Sequence, residues 1–363
     1  MKIFSGKHFF TPKFPRRAFV LPVLVLVLFA GCATTPWDIQ NPYATVNWAE
    51  DGQYKANLHT HTTRSDGRLH PHMVVDEYHA LGYSILAITD HNEVTYPWTA
   101  FSELKLSERS LERMKEEPET MPETAEYEDR DPAALGMIDI QGNELSSHHH
   151  MNSLFNDHNG TKTEEESLKA TAAKNGITFF NHPGRYDKPV EWYLDFYHRY
   201  DHLVGLEVYN SGDRYPHDRE LWDAILEKTM PDRPVWGYSN DDMHALLSLG
   251  RNWSLFVLPE LSHEWVRRGM EQGLSYFIYA PRGHRGAAPP VIEAIRVTPE
   301  KGVIEIEATG YESIEWICKG ETVHEGKKVN LNRLDGADTY IRAVLHGADR
   351  TVACTQPFGI RKP

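Results

Sequence analysis

Residues 54–67 read YKANLHTHTTRSDG, a short strand-like run that leads directly into His59 and His61. On an extended segment, alternate side chains point to the same side, so both imidazoles can bind one ion. A carboxylate, Asp66, follows within the same loop. This order of strand and then possible ligands predicts a metal site at the end of a strand.

The region around this run has the pattern of repeated strand–helix units. Between residues 51 and 282, short runs rich in Ile, Val, Leu and aromatic residues alternate with amphipathic segments that often end at glycine. Such units predict a parallel α/β sheet or barrel. We expect strands at residues 54–58, 84–88, 137–140, 176–180, 204–208, 234–238, 255–258 and 276–279.

Possible metal ligands also follow four of the later strand candidates. In a parallel barrel, residues just past the C-terminal ends of the strands converge on one face, so distant ligands can meet in one pocket. Imidazole and carboxylate ligands without cysteine suit Zn, Mn or Fe. The four groups are Asp90-His91, Glu144 with His148, His149 and His150, then His182, and finally Asp241-Asp242-Met243-His244.

Over roughly residues 57–279, these motifs resemble those of the PHP family, named for polymerase and histidinol phosphatase domains. The resemblance implies an α/β fold, a distorted (β/α)7 TIM-like barrel, that holds two or three divalent metal ions. It also implies nine metal ligands: His59, His61, Asp66, His91, Glu144, His150, His182, Asp242 and His244.

The resemblance further implies how these ligands are shared among three ions. His59, His61, Glu144 and Asp242 would surround the first ion; Glu144 would bridge to a second, completed by His150 and His182; Asp66, His91 and His244 would hold the third. His148 and His149 remain alternatives to His150. Asp90 and Asp241 are interpreted as residues that orient the ligands.

These features predict a metal-dependent hydrolase of phosphoester bonds, a phosphatase or phosphodiesterase acting on a small molecule. A hydroxide that bridges two cations would be the nucleophile. The candidate catalytic residues are Asp242, His244 and Arg185, with Arg214 and Arg251 as other possible phosphate-binding residues. Two other hypotheses are a metal-dependent hydrolase of a carbamate or ester and a non-catalytic metal-binding surface lipoprotein.

The N-terminus has the pattern of a bacterial lipoprotein signal. A basic start and an apolar run at residues 18–30 precede Phe29-Ala30-Gly31-Cys32, which resembles a lipobox. We interpret residues 1–31 as a signal peptide, Cys32 as the lipidated residue and residues 32–50 as a tether. The chain would then be exported and lipid-anchored in the bacterial cell envelope, in the outer membrane or facing the periplasm.

The remaining segments carry fewer signals. Residues 101–132 are highly charged and are interpreted as an insertion into the 51–282 barrel, a solvated excursion rather than a lid. Alternating patterns at residues 290–363 predict a small antiparallel β-sandwich. Cys318 and Cys354 in it could form a disulfide or remain as buried thiols. The net charge of −14 predicts no nucleic-acid binding.

Overall fold

All eight strands expected between residues 51 and 282 are present in the computed structural model, which describes residues 6–8 and 36–362. The strands are β1 Asp38–Gln40, β2 Gly52–Asn57, β3 Ile85–Ala87, β4 Ile138–Ile140, β5 Gly142–Leu145, β6 Met151–Leu154, β7 Ile177–Phe180, β8 Leu203–Asn210, β9 Trp236–Asn240, β10 Asn252–Leu258, β11 Ser275–Tyr279, β12 Val291–Thr298, β13 Val303–Thr309, β14 Tyr311–Cys318, β15 Glu321–Glu325, β16 Lys328–Asn330, β17 Tyr340–Gly347, β18 Val352–Cys354 and β19 Phe358–Arg361. The helices are α1 Pro71–Ala80, α2 Glu108–Glu116, α3 Pro132–Leu135, α4 Glu164–Ala173, α5 Val190–Arg199, α6 His217–Thr229 and α7 His263–Gln272.

Helix boundaries follow the capping residues of the sequence. The side chains of Ser107, Thr163 and Ser262 each accept a hydrogen bond from a backbone N–H in the first turn of α2, α4 and α7. Helix α7 ends at Gly273, whose φ of 72° lies in the left-handed region that glycine adopts easily. The strands between these helices, such as β7 and β8, are buried along their whole length.

The strands join into separate sheets, not into a closed barrel, within the residues described. One sheet has the order β1-β19-β17-β18-β11-β10-β2-β3-β4, with β14 and β15 attached to β17, and a second has the order β5-β6-β7-β8-β9. The pairs β2–β3, β3–β4, β7–β8 and β8–β9 are parallel, as expected for strand–helix units. The structure is therefore a mixed α/β fold.

Two parts of the region depart from the expected parallel order. Strand β6 pairs antiparallel with β5 and β7, and β10 pairs antiparallel with β2 and β11. A parallel connection needs a crossover of about a dozen residues, usually a helix. The link between β5 and β6 is too short for that, and the link between β9 and β10 contains no α-helix in this structure.

The C-terminal strands are antiparallel, as expected. Strands β12, β13 and β16 form a third sheet, whereas the other C-terminal strands continue the sheet that contains β2 and β11. Strand β18 pairs with β11, and β19 pairs with β1. The buried Arg342 of β17 binds Asp223 of α6 through two nitrogen–oxygen contacts of 2.8 and 2.5 Å. Cys318 and Cys354 are both buried and free. The division into a barrel at 51–282 and a sandwich at 290–363 stays a prediction.

The charged segment at residues 101–132 is mostly exposed, but a few buried side chains anchor it. Phe101, Met121 and Tyr127 are buried, and the Tyr127 hydroxyl lies 3.1 Å from Thr63 Oγ1. These buried side chains fix the segment against the loop that follows β2, while most of its other residues are exposed, as expected for a solvated excursion.

The predicted signal peptide at residues 1–31 and the lipidation site Cys32 lie outside the described residues. Within the part of the chain that is described, no helix combines the length and the apolar character needed to cross a bilayer.

Candidate metal centre

Backbone hydrogen bonds fasten together the loops that carry the candidate ligands. Past the ends of β2 and β9, Asp242 N donates to His59 O at 3.0 Å, and His61 N donates to Met243 O at 2.9 Å. An isolated parallel bridge joins His91 to Glu144. The ends of strands from both sheets therefore meet at one place, although no closed barrel forces them together.

The structure brings all nine predicted ligands to this place. Their side chains fall into overlapping groups in which the ligand atoms lie within 4.8 Å of one another. The groups are His59 with His61 and Glu144, His59 with His182 and Asp242, His91 with Glu144 and His150, and His61 with Asp66, His91 and His244.

The groups match the predicted sharing only in part. Glu144 belongs to two groups, as a bridging ligand would. His182 lies with His59 and Asp242, whereas His150 lies with Glu144 and His91. His61 is also close to Asp66, so it reaches toward the residues expected at the third ion.

Nitrogen and oxygen atoms of several candidate ligands converge closely at the centre. His59 Nε2 and His61 Nε2 lie 3.1 Å apart, and both lie near Asp242 Oδ1, at 3.3 and 3.1 Å. The buried atoms Glu144 Oε2 and His182 Nδ1 have no hydrogen-bond partner. Buried polar atoms normally have one. Converging lone pairs of this kind fit a divalent cation bound by nitrogen and oxygen.

The electrostatics of the buried core of the site agree with this donor set. Burial works to lower the pKa of His59, but Asp242, Glu207 and Glu144 outweigh it and raise the pKa well above its ordinary value. Burial works to raise the pKa of Glu144, but His59 and the other neighbouring imidazoles hold it well below. Bound cations would take the place of these protons, because both stabilise the same carboxylates.

One side of the centre is open to solvent. His59 and His61 are fully buried, whereas the side chains of Asp66, His91 and His244 are 22%, 25% and 37% exposed. His244 Nε2 lies 3.1 Å from Asp66 Oδ1. A substrate would therefore approach from the side of Asp66 and His244.

The three consecutive histidines have different surroundings. His150 Nδ1 lies 3.0 Å from Glu144 Oε1, within the cluster. His148 instead contacts the Ser167 hydroxyl, and His149 is stacked on Tyr186 with ring centroids 4.0 Å apart. Of the three, the structure places only His150 among the other candidate ligands.

Asp90 and Asp241 hold loops rather than face the centre. Asp90 accepts hydrogen bonds from Thr62 N and from the hydroxyls of Thr62, Ser65 and Thr95. Asp241 accepts three bonds from the backbone N–H groups of residues 250–252 and one from the Tyr78 hydroxyl. Burial raises the pKa of Asp241 to about 6. Both carboxylates orient the loops that carry neighbouring ligands.

Sequence reasoning missed Glu207 on β8. This fully buried carboxylate accepts hydrogen bonds from His59 Nδ1 at 2.9 Å, from His182 N at 2.8 Å and from the side-chain amides of Asn210 and Asn240. The one acidic residue in the apolar strand LVGLEVYN was the available signal, because a buried carboxylate requires partners.

Two candidate ligands have unusual backbone conformations. His182 has a φ of 31° and a ψ of 57°, and Asp242 has a φ of 47°. Both lie in the left-handed region, where residues with a Cβ are strained. The loops therefore aim these two side chains at the centre by a conformation that the chain does not prefer.

Arg185 lies near the site without entering it. It is exposed, and its guanidinium lies 5.8 Å from the centroid of the Tyr186 ring, whose hydroxyl accepts a hydrogen bond from His150 N. Arg214 similarly lies over Tyr215, at 5.2 Å. The phosphate-binding role of Arg185 stays a prediction.

No protein-family model matches the chain, and no curated protein matches it. Solved structures with a similar arrangement do exist. One is a two-domain protein from Bacteroides vulgatus described as containing a PHP-like metal-dependent phosphoesterase, with 17% identity, a TM-score of 0.49 and coverage of 86% of this chain and 96% of that one.

Another similar structure is a metal-dependent phosphoesterase, by its description, from Bifidobacterium adolescentis, with 17% identity, a TM-score of 0.34 and coverage of 54% of this chain and 90% of that one. A third is the lesion-specific endonuclease PfuEndoQ from Pyrococcus furiosus, with 13% identity, a TM-score of 0.38 and coverage of 61% and 56%.

PHP-like metal-dependent phosphoesterases are thus among the structural neighbours. At these identities and TM-scores, the activity of this chain has to be inferred from its own side chains. The expectation that the chain has no nucleic-acid partner stays a prediction.

Proposed function

We propose that this protein is a metal-dependent hydrolase of the PHP type and that its substrates are phosphoesters. The observation that carries the proposal is the convergence of nine imidazole and carboxylate side chains, in which the buried atoms Glu144 Oε2 and His182 Nδ1 have no hydrogen-bond partner. Two or three divalent ions of Zn, Mn or Fe fit such donors. The donors follow strand ends, the positions at which the distorted (β/α)7 barrel predicted from the sequence would carry its ligands.

The buried ions would be held by His59, His61, Glu144, His150, His182 and Asp242, and the ion on the open side by Asp66, His91 and His244. When bound, such ions lower the pKa of water and neutralise charge on phosphoester oxygens. The His59 Nδ1–H donates to Glu207, so the lone pair of the neutral ring is on Nε2, which faces the centre.

Asp242 and His244 would take part in proton transfer during hydrolysis. His244 Nδ1 donates to the Asp242 backbone oxygen at 2.9 Å, so Nε2 is left on the open side. There it lies beside Asp66. Because Nε2 cannot hold a proton and bind a metal ion at the same time, His244 would give a proton to the leaving group only in a centre of two ions, and it would bind the third ion in a centre of three. Arg185 would bind a phosphate oxygen after a change of side-chain rotamer.

The protein would act outside the cytoplasm. This part of the proposal rests on the lipobox-like Phe29-Ala30-Gly31-Cys32 and the apolar run before it. Acylation of Cys32 would anchor the enzyme to a bacterial envelope membrane. Mass spectrometry of the purified protein, before and after Cys32→Ala, checks the lipid.

The decisive experiment is a substrate panel on the full-length protein, purified in detergent and loaded with Mn²⁺ or Zn²⁺. The panel contains p-nitrophenyl phosphate, bis-p-nitrophenyl phosphate, p-nitrophenyl acetate, an aryl carbamate and a DNA oligonucleotide. We expect hydrolysis of at least one phosphoester. Turnover of the acetate or carbamate alone would assign the non-phosphate hydrolase, and bound metal without any turnover would assign a metal-binding lipoprotein.

Variants connect the activity to the centre. His59→Ala and Asp242→Ala should lower turnover below detection and reduce the bound metal measured by elemental analysis. The matched controls are His217→Ala and Asp232→Ala, which change exposed residues that form surface ion pairs. Full activity in the two site variants would contradict the proposal.

A further inference from the structure

A charged cavity opens beside two of the three candidate ligands on the solvent side. It has a volume of about 510 Å³, and Asp66 and His244 form part of its wall. Helix α2 of the charged segment supplies most of the rest. Its other lining residues all carry charge: Arg68, Arg109, Glu112, Arg113, Glu116 and Glu117. A cavity lined in this way suits an ionic group and excludes an apolar one.

Helix α2 is fastened to the loop that carries Asp66. The Ser110 hydroxyl donates to Thr63 O at 2.5 Å. The Arg113 guanidinium donates through Nη1 to Asp66 O at 2.8 Å and to Gly67 O at 3.1 Å. The cavity wall and the ligand loop are therefore one connected unit, so the cavity is formed before any ligand enters.

The arginines of α2 lack carboxylate partners. Arg68 is paired with Glu117 at 2.8 Å. Among residues 36–362, no carboxylate oxygen lies within 4.0 Å of a nitrogen of Arg109 or Arg113, although Glu112 is nearby on the same helix.

These arginines also repel one another. Arg109 and Arg113 are four residues apart on a helix, where like charges repel. An anion in the cavity would relieve this repulsion.

We propose that Arg109 and Arg113, with Arg68 beside them, form a subsite for a second anionic group of the substrate. The proposal rests on the proposed function, since it places this group next to the phosphoester that the metal centre cleaves. The substrate class is then a phosphoester that bears another phosphate or a carboxylate a few bonds from the reacting phosphorus. Arg113 would reach this group through the guanidinium nitrogens that Asp66 and Gly67 do not use.

A binding experiment tests the subsite without relying on turnover. Three non-hydrolysable ligands with the same three-carbon chain are compared on the metal-loaded, full-length protein by calorimetry: propylphosphonate, propane-1,3-diylbisphosphonate and 4-phosphonobutanoate. The wild type should bind one of the two doubly anionic ligands about tenfold more tightly than propylphosphonate, the effect of a charge-assisted hydrogen bond. The ligand that gains more identifies phosphate or carboxylate as the second group.

The affinity ratio is the affinity for the better doubly anionic ligand divided by the affinity for propylphosphonate. Substitutions that change the charge of the cavity in opposite directions should change this ratio in opposite directions. Arg109→Glu should remove most of the tenfold preference, whereas Glu112→Lys should increase it. Arg296→Glu, the same change on the exposed face of β12, is the matched control and should leave the ratio as in the wild type.

Two outcomes overturn the subsite: equal affinity of the wild type for all three ligands, or an unchanged ratio in both Arg109→Glu and Glu112→Lys. The proposed function would be contradicted instead if the wild type showed the expected affinity ratio but hydrolysed no phosphoester in the substrate panel.

Discussion

The carboxylate of Glu207 holds the imidazole of His59 from the side opposite the metal centre, with Oε1 2.9 Å from Nδ1. This contact fixes the tautomer of a candidate ligand and increases its basicity. The other oxygen of Glu207 accepts a bond from His182 N, so one side chain orients two candidate ligands.

We therefore expect Glu207→Gln to weaken metal binding by about 10- to 100-fold. The amide has nearly the same shape, but it lacks the negative charge that supports His59. Competition with a chromophoric chelator measures the metal affinity. Glu220→Gln, an exposed change on α6, is the control, and equal affinities in the two variants would contradict a positioning role for Glu207.

Metal binding should compete with protons. In the metal-free protein, Asp66 and Glu144 outweigh burial and raise the pKa of His91 to about 10, and the pKa values of His59 and His244 are also raised. These protons must leave before a cation binds, so the apparent metal affinity should increase as the pH rises from 6 toward 10.

Calorimetry at pH 7 in two buffers with different ionisation enthalpies measures the protons released by metal binding. The wild type should release more protons than His91→Ala, which has lost one of the raised groups. Heats that do not depend on the buffer would show that the centre holds no such protons.

The buried pair between Arg342 and Asp223 should be essential for stability. Removing one partner leaves the other charge buried and unpaired, so Arg342→Ala should lower the free energy of unfolding by about 3–5 kcal/mol. Urea denaturation measures this change. Arg361→Ala removes an arginine from exposed pairs of β19 and should have a much smaller effect. If Arg342→Ala lowers the free energy of unfolding by as little as Arg361→Ala, the buried pair does not stabilise the C-terminal strands.

Asp218 should make stability depend on pH. Burial raises its pKa to about 8, whereas an unfolded aspartate titrates near 3.8. The folded state thus retains a proton that the unfolded state has lost, so stability should fall as the pH rises from 4 to 8. Asp218→Asn can still accept the hydrogen bond from Gly184 N, and it should flatten this dependence. Thermal melts across this pH range test it, with Asp232→Asn as the exposed control.

The sequence was sufficient to predict eight strands between residues 51 and 282, though not β5 and β6, and the nine candidate ligands that the structure brings together, because both depend on local patterns. Apolar runs marked the strands, and donor residues directly after them marked the site. The direction of β6 and β10 could not be predicted in this way, since it depends on which strands pair across the sheet. The same holds for the β11–β18 ladder.

The contribution of α2 was also hidden in the sequence. Its charge suggested exposure to solvent, and only the contacts of Ser110 and Arg113 with the loop of Asp66 show that it belongs to the site. Glu207 was overlooked because it lies inside an apolar strand and not after its end.

At His182 and Asp242, the left-handed backbone conformation lowers the stability of the fold, whereas the side chain is a candidate metal ligand. Glycine would relax either position by roughly 1 kcal/mol, but it would remove a donor atom. In metal-free protein, Asp242→Gly should consequently melt at a higher temperature than Asp242→Ala, since both lose the same carboxylate and only glycine releases the strain. Substitutions that increase the stability of the backbone at these two positions would therefore remove a candidate metal ligand and lower the activity.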